Sequence, residues 1–249
     1  MKHIILAAGK GTRMKHYTLN SAKGMLRVGG ISILDRQVIT INKTHPSKII
    51  IIRGYRAEDI DIPDIKYYTN KDYDKTNMVA SLMTAKYEFT DDITVSYGDI
   101  LFNKKILEET ANHKGDFVVA VDTRWKRYWK MRFDGDYTTD TESLKIRRGI
   151  ITDIGKSGPF IEDIDARYIG VLKFSRKGLE IISDIYNSDP KWRSAYMTDL
   201  LQELIRRNHK VVPVRFKNGW VEIDTVEDYK KVCNWCRSGV IQKELNLVI

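Results

Sequence analysis

The stretch that decides the fold is His3-Ile4-Ile5-Leu6-Ala7-Ala8-Gly9-Lys10-Gly11-Thr12-Arg13-Met14. Its first five residues form an apolar run, long enough for a buried strand and too short for a helix, that opens directly into a glycine-containing turn. A helical stretch over Ile33 to Asn42 follows, then the β-branched run Lys48 to Ile52, ending at Arg53-Gly54-Tyr55. Two strands joined by a helix run parallel with a right-handed crossover.

The alternation continues with a strand over Ile65 to Thr69, a helix over Met78 to Lys86, a strand over Asp92 to Tyr97, a helix over Lys104 to Asn112 and a strand over Asp116 to Val121. This order predicts an α/β fold, a Rossmann-like, mostly parallel sheet flanked by helices on both faces. Asp122 to Ile164 breaks the rhythm. Rich in charge and aromatics, with short strands expected at Leu144–Arg147, Gly149–Ile154 and Arg167–Phe174, it reads as a small antiparallel insertion over the main sheet, at about residues 122–170. Helices fit Leu179 to Tyr186 and Met197 to Asn208, a strand fits Lys210 to Phe216, and a helix fits Val226 to Ile241. With no internal repeat or Gly/Ser linker, one domain over residues 1–249 is expected.

Composition agrees with a packed chain. The 249 residues are 42% hydrophobic and 30% charged, which excludes disorder as the main state. No window approaches the ~18 consecutive apolar residues of a spanning helix, and the start lacks the apolar run of a signal peptide, so a cytoplasmic protein without a membrane partner is expected. Lys and Arg total 42 against 33 Asp and Glu, a net charge of +9 that favours an anionic partner. Nucleic acid, a membrane surface and a small phosphate-rich ligand all qualify. The basic residues are scattered, however, and the concentrations at Arg124–Arg132 and Lys145–Arg148 form no polybasic tail. Cys233 and Cys236 have no second Cys pair or close His pair to complete a zinc site, and they fall in the C-terminal helical stretch, as incidental thiols would. Neither the histidines nor the serines show a nucleophile–base spacing.

Gly9 and Gly11 let the backbone approach a ligand closely, and loop amides there cradle anions. The phrase lacks the third glycine of the dinucleotide fingerprint and the Gly-Lys-Ser/Thr ending of the P-loop. Arg13 and then Lys23 add the two cations that a triphosphate needs beyond amides. On these residues the chain resembles the nucleotidyltransferases of the sugar-phosphate and phosphocholine type, whose signature is Leu-Ala-Ala-Gly-x-Gly-Thr/Ser-Arg followed about ten residues later by a lysine. The family usually places proline just before that lysine. Here the phrase is Ser21-Ala22-Lys23-Gly24, and the local backbone is freer.

The resemblance implies the nucleotide-diphospho-sugar transferase type of fold. It implies a nucleotide held by Leu6, Ala8, Gly9, Lys10, Gly11, Thr12, Arg13 and Lys23, with Gly54, Tyr55, Tyr97 and Gly98 around it. Arg13 would touch the β- and γ-phosphates and Lys23 the α-phosphate or the acceptor, as the catalytic pair.

Asp99 in Tyr97-Gly98-Asp99 stands at the carboxyl end of an apolar strand, where open α/β sheets bind ligands. Asp224, in Trp220-Val221-Glu222-Ile223-Asp224, is the candidate partner. Each residue also suits a helix cap, and Asp224-Thr225-Val226-Glu227 has capping-box spacing. The resemblance implies that Asp99 and Asp224, with Glu222 a further candidate, hold Mg²⁺ against the phosphates, as hard oxygen donors suit.

Asn70-Lys71-Asp72-Tyr73-Asp74-Lys75-Thr76-Asn77-Met78-Val79-Ala80-Ser81-Leu82 reads as a polar loop capping a helix through Thr76 or Asn77. Cytidylyltransferases acting on phosphocholine, phosphonates or amino-acid-derived phosphates carry a similar Asn-x-x-Tyr and Asn-x-x-x-Ser-Leu, which implies CTP as the nucleotide, with Thr76, Asn77 and Ser81 around it.

In Trp125-Lys126-Arg127-Tyr128-Trp129-Lys130-Met131-Arg132, aromatics alternate with cations. Such a stretch stacks bases, forms a pocket for a small phosphate ester, or packs as an amphipathic stripe. Together with Asp140, Glu142, Tyr168-Ile169-Gly170 and Tyr196-Met197-Thr198, it is similar to the cytidylyltransferases that activate L-glutamine phosphate in capsule synthesis. An acceptor site formed by Trp125, Trp129, Arg132, Glu142, Tyr168, Gly170, Thr198 and Trp220 is therefore expected. The rival readings are a sugar-1-phosphate enzyme using UTP, dTTP or GTP, and a non-catalytic RNA-binding or regulatory module. No stable nucleic-acid partner is expected, and nothing in the sequence sets the oligomeric state.

Overall fold

A computed structural model of the chain describes residues 1–44 and 48–248. In chain order the elements are β1 (Lys2–Ala7), β2 (Arg27–Val28), β3 (Ile31–Ser32), α1 (Ile33–Asn42), β4 (Lys48–Arg53), β5 (Lys66–Thr69), α2 (Met78–Thr84), β6 (Ile93–Tyr97), β7 (Ile100–Phe102), α3 (Lys104–Asn112), β8 (Phe117–Asp122) and α4 (Trp125–Arg132). The second half holds β9 (Glu142–Arg147), β10 (Ile150–Ser157), β11 (Arg167–Phe174), α5 (Arg176–Ser188), α6 (Met197–Arg206), β12 (Val211–Phe216), β13 (Trp220–Glu222), α7 (Val226–Ser238) and α8 (Val240–Leu245).

Nine strands form one sheet in the order β5-β4-β1-β6-β11-β8-β12-β10-β9. The first four run parallel, β11 is antiparallel to both its neighbours, and β12 runs parallel to β8. Alternate side chains separate into two cores, as a two-residue period covered on both faces requires. Ile5, Ile49, Ile51, Val118 and Ala120 face one layer, and Ile4, Leu6, Ile50, Ile52, Phe117, Val119 and Val121 the other. The chain leaves β1 for β4 on one side and reaches β6 on the other, so β1 is the switch point where such sheets open a crevice at their carboxyl ends.

Three expectations are corrected. Strand β11, expected within the antiparallel insertion, is a central strand of the main sheet between β6 and β8. The antiparallel hairpin β9–β10 does not lie over the sheet: it prolongs the edge beyond β12, joined through the pair Ile151 and Val211. The C-terminal helix divides at Gly239, whose φ of 72° lies in the left-handed region that ends α7. No helix among the described residues is long and apolar enough to cross a membrane.

Candidate active site

The crevice lies where β1 and β6 end. After β1 the chain turns through Gly9 and Gly11, and Gly11 adopts φ 62°, a left-handed conformation that a side chain would strain. A β-carbon there would also stand 3.0 Å from the Lys23 side chain. Among the described residues, the backbone N–H groups of Gly9 to Arg13 donate to no protein acceptor, which leaves a run of donors for an anion. Next to it, the Gly98 N–H donates to the Leu6 carbonyl at 2.8 Å, tying the end of β6 to that of β1.

Lys23, on a short 3₁₀ turn, reaches back beneath this loop. Its Nζ lies 2.7 Å from Asp99 Oδ2 and 3.0 Å from Asp224 Oδ1, while Arg13 Nη2 lies 2.6 Å from Asp224 Oδ2. Lys23 is largely enclosed, its side chain 11% exposed, and Arg13 reaches into solvent. Burial opposes the Lys23 charge, but the two carboxylates outweigh burial and raise its pKa.

The convergence of Asp99 and Asp224 has a local cause. Strand β7 begins directly after Asp99 and pairs antiparallel with β13, Ile100 opposite Glu222. The Ile223 N–H then donates to the Asp99 carbonyl at 2.9 Å. A ribbon of two three-residue strands thereby closes a separation of 125 positions. Asp228 fixes the other end, accepting from the Asp224 and Thr225 N–H groups at 3.1 and 2.9 Å. Thr225, and not Asp224, caps α7.

Two carboxylates within reach of one ammonium are an oxygen donor set that suits Mg²⁺, which is commonly held by one or two carboxylates together with phosphates and waters. Glu222 does not join them: its carboxylate pairs with Arg132, and it is absent from the crevice lining. Among the described residues no group of three or more His, Cys, Asp or Glu side chains forms a closed metal cage.

The facing wall comes from the loop before α2. Asn70 Nδ2 donates to Thr76 Oγ1 at 2.9 Å and to Ser81 Oγ at 3.0 Å, and Asn77 caps the helix. Leu6, Ala8, Thr12, Thr76, Asn77, Ser81, Tyr97 and Gly98 all line the crevice, as expected from the sequence, and Tyr73 lines it as well. Lys10, Gly54 and Tyr55 stand outside the lining. Gly54 packs on Ala8, where a β-carbon would meet the carbonyl at 2.5 Å, and the Tyr55 hydroxyl donates to the Thr18 carbonyl at 3.0 Å. Tyr73 was legible in the Asn70-x-x-Tyr phrase.

The expected acceptor site divides. Trp125, Trp129, Arg132 and Trp220 are buried, at 2%, 0%, 4% and 1% exposure, and do not face a ligand. Helix α4 turns its aromatic stripe into the core, where Tyr128 packs edge-on against Trp129 and Trp220. Arg132 is bound by Asp228 at 2.7 and 2.8 Å and by Glu222. An amphipathic stripe has the same spacing whether it faces a ligand or a core, and here the core won. The buried aromatics also remove the stacking faces that an RNA-binding reading requires. Glu142, Tyr168 and Gly170 gather beside Tyr97, next to the crevice, while Thr198 is buried against Gly155. Cys233 and Cys236 are free and half-buried on α7.

Comparison with known proteins gives a concordant picture. The sequence profile of the MobA-like NTP transferase domain matches residues 3–157. The chain is 31% identical over 247 residues to the CTP:phosphoglutamine cytidylyltransferase of Campylobacter jejuni, covering 92% of this chain and 97% of that one. It is 25% identical over 236 residues to the choline-phosphate cytidylyltransferase of Streptococcus pneumoniae, covering 93% and 96%. The solved structure of the CTP:phosphocholine cytidylyltransferase from Streptococcus pneumoniae superposes with a TM-score of 0.73 at 22% identity, over 94% of this chain and 97% of that one, and so shares the fold.

Proposed function

The chain belongs to the MobA-like NTP transferase family, and from that premise we propose that it is a Mg²⁺-dependent cytidylyltransferase that moves CMP from CTP to a small phosphorylated acceptor, L-glutamine phosphate first among them. The observation that carries the reading is the tetrad of Arg13, Lys23, Asp99 and Asp224 beneath the free amides of the glycine loop. The choice of CTP and acceptor leans on the Campylobacter jejuni relative.

An anionic oxygen of the acceptor attacks the α-phosphorus of CTP in line, the bond to the bridging oxygen breaks, and pyrophosphate leaves. No general base is needed, because the attacking oxygen carries no proton. The protein orients the reactants and neutralises charge that develops at the α-phosphate and the leaving group. The loop amides hold phosphate oxygens, Arg13 takes the β- and γ-phosphates, and Lys23 leaves its carboxylates for the α-phosphate. Asp99 and Asp224 would hold Mg²⁺, which supplies charge neutralisation on the phosphates. Thr76, Asn77, Ser81, Tyr97 and Gly98 frame the nucleoside. One domain over residues 1–249 supplies both substrate sides, and the site needs no nucleic acid.

The test is incubation with Mg²⁺ and CTP, UTP, dTTP or GTP, each with L-glutamine phosphate, 2-aminoethylphosphonate, phosphocholine or a sugar 1-phosphate, reading pyrophosphate and product mass. CTP with L-glutamine phosphate should give the fastest release. Turnover confined to UTP, dTTP or GTP with a sugar 1-phosphate would overturn the reading.

A further inference from the structure

Arg167 opens β11, and among the described residues its guanidinium closes no ion pair. Its guanidinium carbon lies 4.5 Å from the ring centroid of Trp129. Among the described residues no carboxylate oxygen comes within ion-pairing distance, and Nη1 is buried without a hydrogen-bond partner. Arg132 touches the same indole, at 5.0 Å, yet it is held by Asp228 and Glu222. Two guanidinium groups therefore share one ring, one in ion pairs with carboxylates and one in none. Arg167 is half-buried, and a cation with a buried donor that no acceptor meets opposes folding, so the bare one calls for an explanation.

Glu142, at the start of β9, is the chief carboxylate acting on Arg167, and Arg167 is the chief cation acting on Glu142. Asp140 acts on both, Asp199 on Glu142, and Arg132 and Tyr128 on Arg167. Glu142 is half-buried and, like Arg167, makes no hydrogen bond or ion pair through its side chain among the described residues. Opposite charges thus stand near each other without closing on one another. The Tyr168 hydroxyl is also buried without a hydrogen-bond partner.

This cluster adjoins the crevice through one ring. Tyr168 packs edge-on against Tyr97, centroids 5.7 Å apart. Gly170, at φ 80°, lets the chain pass Tyr97 where a β-carbon would stand 3.0 Å from the ring. Tyr97 lines the crevice and feels the charges of both Asp99 and Glu142. The crevice and the Arg167–Glu142 cluster therefore both border Tyr97.

We propose that Arg167, with Glu142 and Tyr168, binds the far end of the acceptor, and that this end is a zwitterionic α-amino acid whose carboxylate meets Arg167 and whose ammonium meets Glu142. The assignment rests on the cytidylyltransferase reading above and sharpens it. A trimethylammonium group offers a guanidinium nothing, and an aminoethyl group only a second cation. Each leaves Arg167 bare. An α-carboxylate gives it the two-oxygen partner its planar fork fits.

The experiment compares L-glutamine phosphate with its analogue lacking the α-carboxylate, and with phosphocholine, in the full chain with CTP and Mg²⁺. The unaltered protein should prefer the parent over the analogue by at least roughly 50-fold in kcat/KM, because a site built for a polar group rejects a ligand without it. Arg167→Met should raise KM for L-glutamine phosphate by a similar factor with a much smaller change in kcat, and should use parent and analogue about equally. Arg167→Lys should recover part of the preference. Equal use of parent and analogue by the unaltered protein would overturn the assignment, and that comparison does not depend on any variant folding. Turnover of CTP with phosphocholine but not L-glutamine phosphate would overturn the assignment and leave cytidylyl transfer standing. Absence of CTP turnover with every acceptor would overturn the underlying reading as well.

Discussion

Lys23 holds Asp99 and Asp224 at once, 2.7 and 3.0 Å from its Nζ, so each side chain of the tetrad has a second task when ligand arrives. Asp99→Asn keeps the shape and removes the charge. We expect it to lower kcat by at least roughly 100-fold, as loss of a key electrostatic group does; steady-state pyrophosphate release at saturating CTP measures this, and near wild-type turnover would remove Asp99 from the mechanism. At this scale the N-terminal phrase was the most legible part of the sequence, because a glycine loop followed by spaced cations has few structural uses. Asp99 was legible from its strand end. Trp129 and Arg132 misled because spacing on a helix does not reveal which way the helix faces. Arg167 gave no signal, since Trp129 and Glu142 reach it only through the fold.

Helix α4 works through α7. Arg132 grips Asp228, whose carboxylate also accepts the Asp224 and Thr225 N–H groups, so a side chain remote from the crevice shapes the turn that carries Asp224. Truncation as Arg132→Ala strands a buried carboxylate and should destabilise the fold by about 3–5 kcal/mol, the range for breaking a buried pair. Urea unfolding followed by tryptophan fluorescence checks it, and a loss below about 1 kcal/mol would show the cluster to be solvated. The central parallel strands β1, β4 and β6 were legible as elements because each is a mostly apolar run buried on both faces. The β7–β13 ribbon was not, although it brings Asp99 to Asp224, because three residues are too few to show a period. The hairpin β9–β10 was legible as strands but not in its position, which its edge pairing to β12 decides.

For the whole molecule, acid should be the weak direction. His3 is buried between Thr94 Oγ1 and Ser96 Oγ, at 2.7 and 2.8 Å, and burial lowers its pKa to about 3. The unfolded chain takes up this proton near pH 6.5 and the folded chain does not until about pH 3, so stability falls as pH drops through that window, by about 1.4 kcal/mol per unit. Glu88, held near 2 where Lys2, Lys66 and Tyr68 outweigh the effect of burial, adds a second loss between about pH 4.5 and 2. Urea midpoints at pH 7.5, 6 and 5 should decline in the native protein and flatten in His3→Asn; a native profile level over that range would show His3 to be accessible to protons. The net charge of +9 is not explained by the crevice, where two cations face two carboxylates.

That balance bears on the end of the catalytic cycle. In the proposed reaction, Arg13 and Lys23 let go of Asp99 and Asp224 to grip the triphosphate. Once pyrophosphate departs with the Mg²⁺ that Asp99 and Asp224 would hold, the same carboxylates are free to reclaim both cations from within ion-pair distance. Turnover then leaves behind a self-satisfied crevice in place of a bare cationic one, so product rebinding is opposed by internal counterions and the empty site has little appetite for stray phosphate.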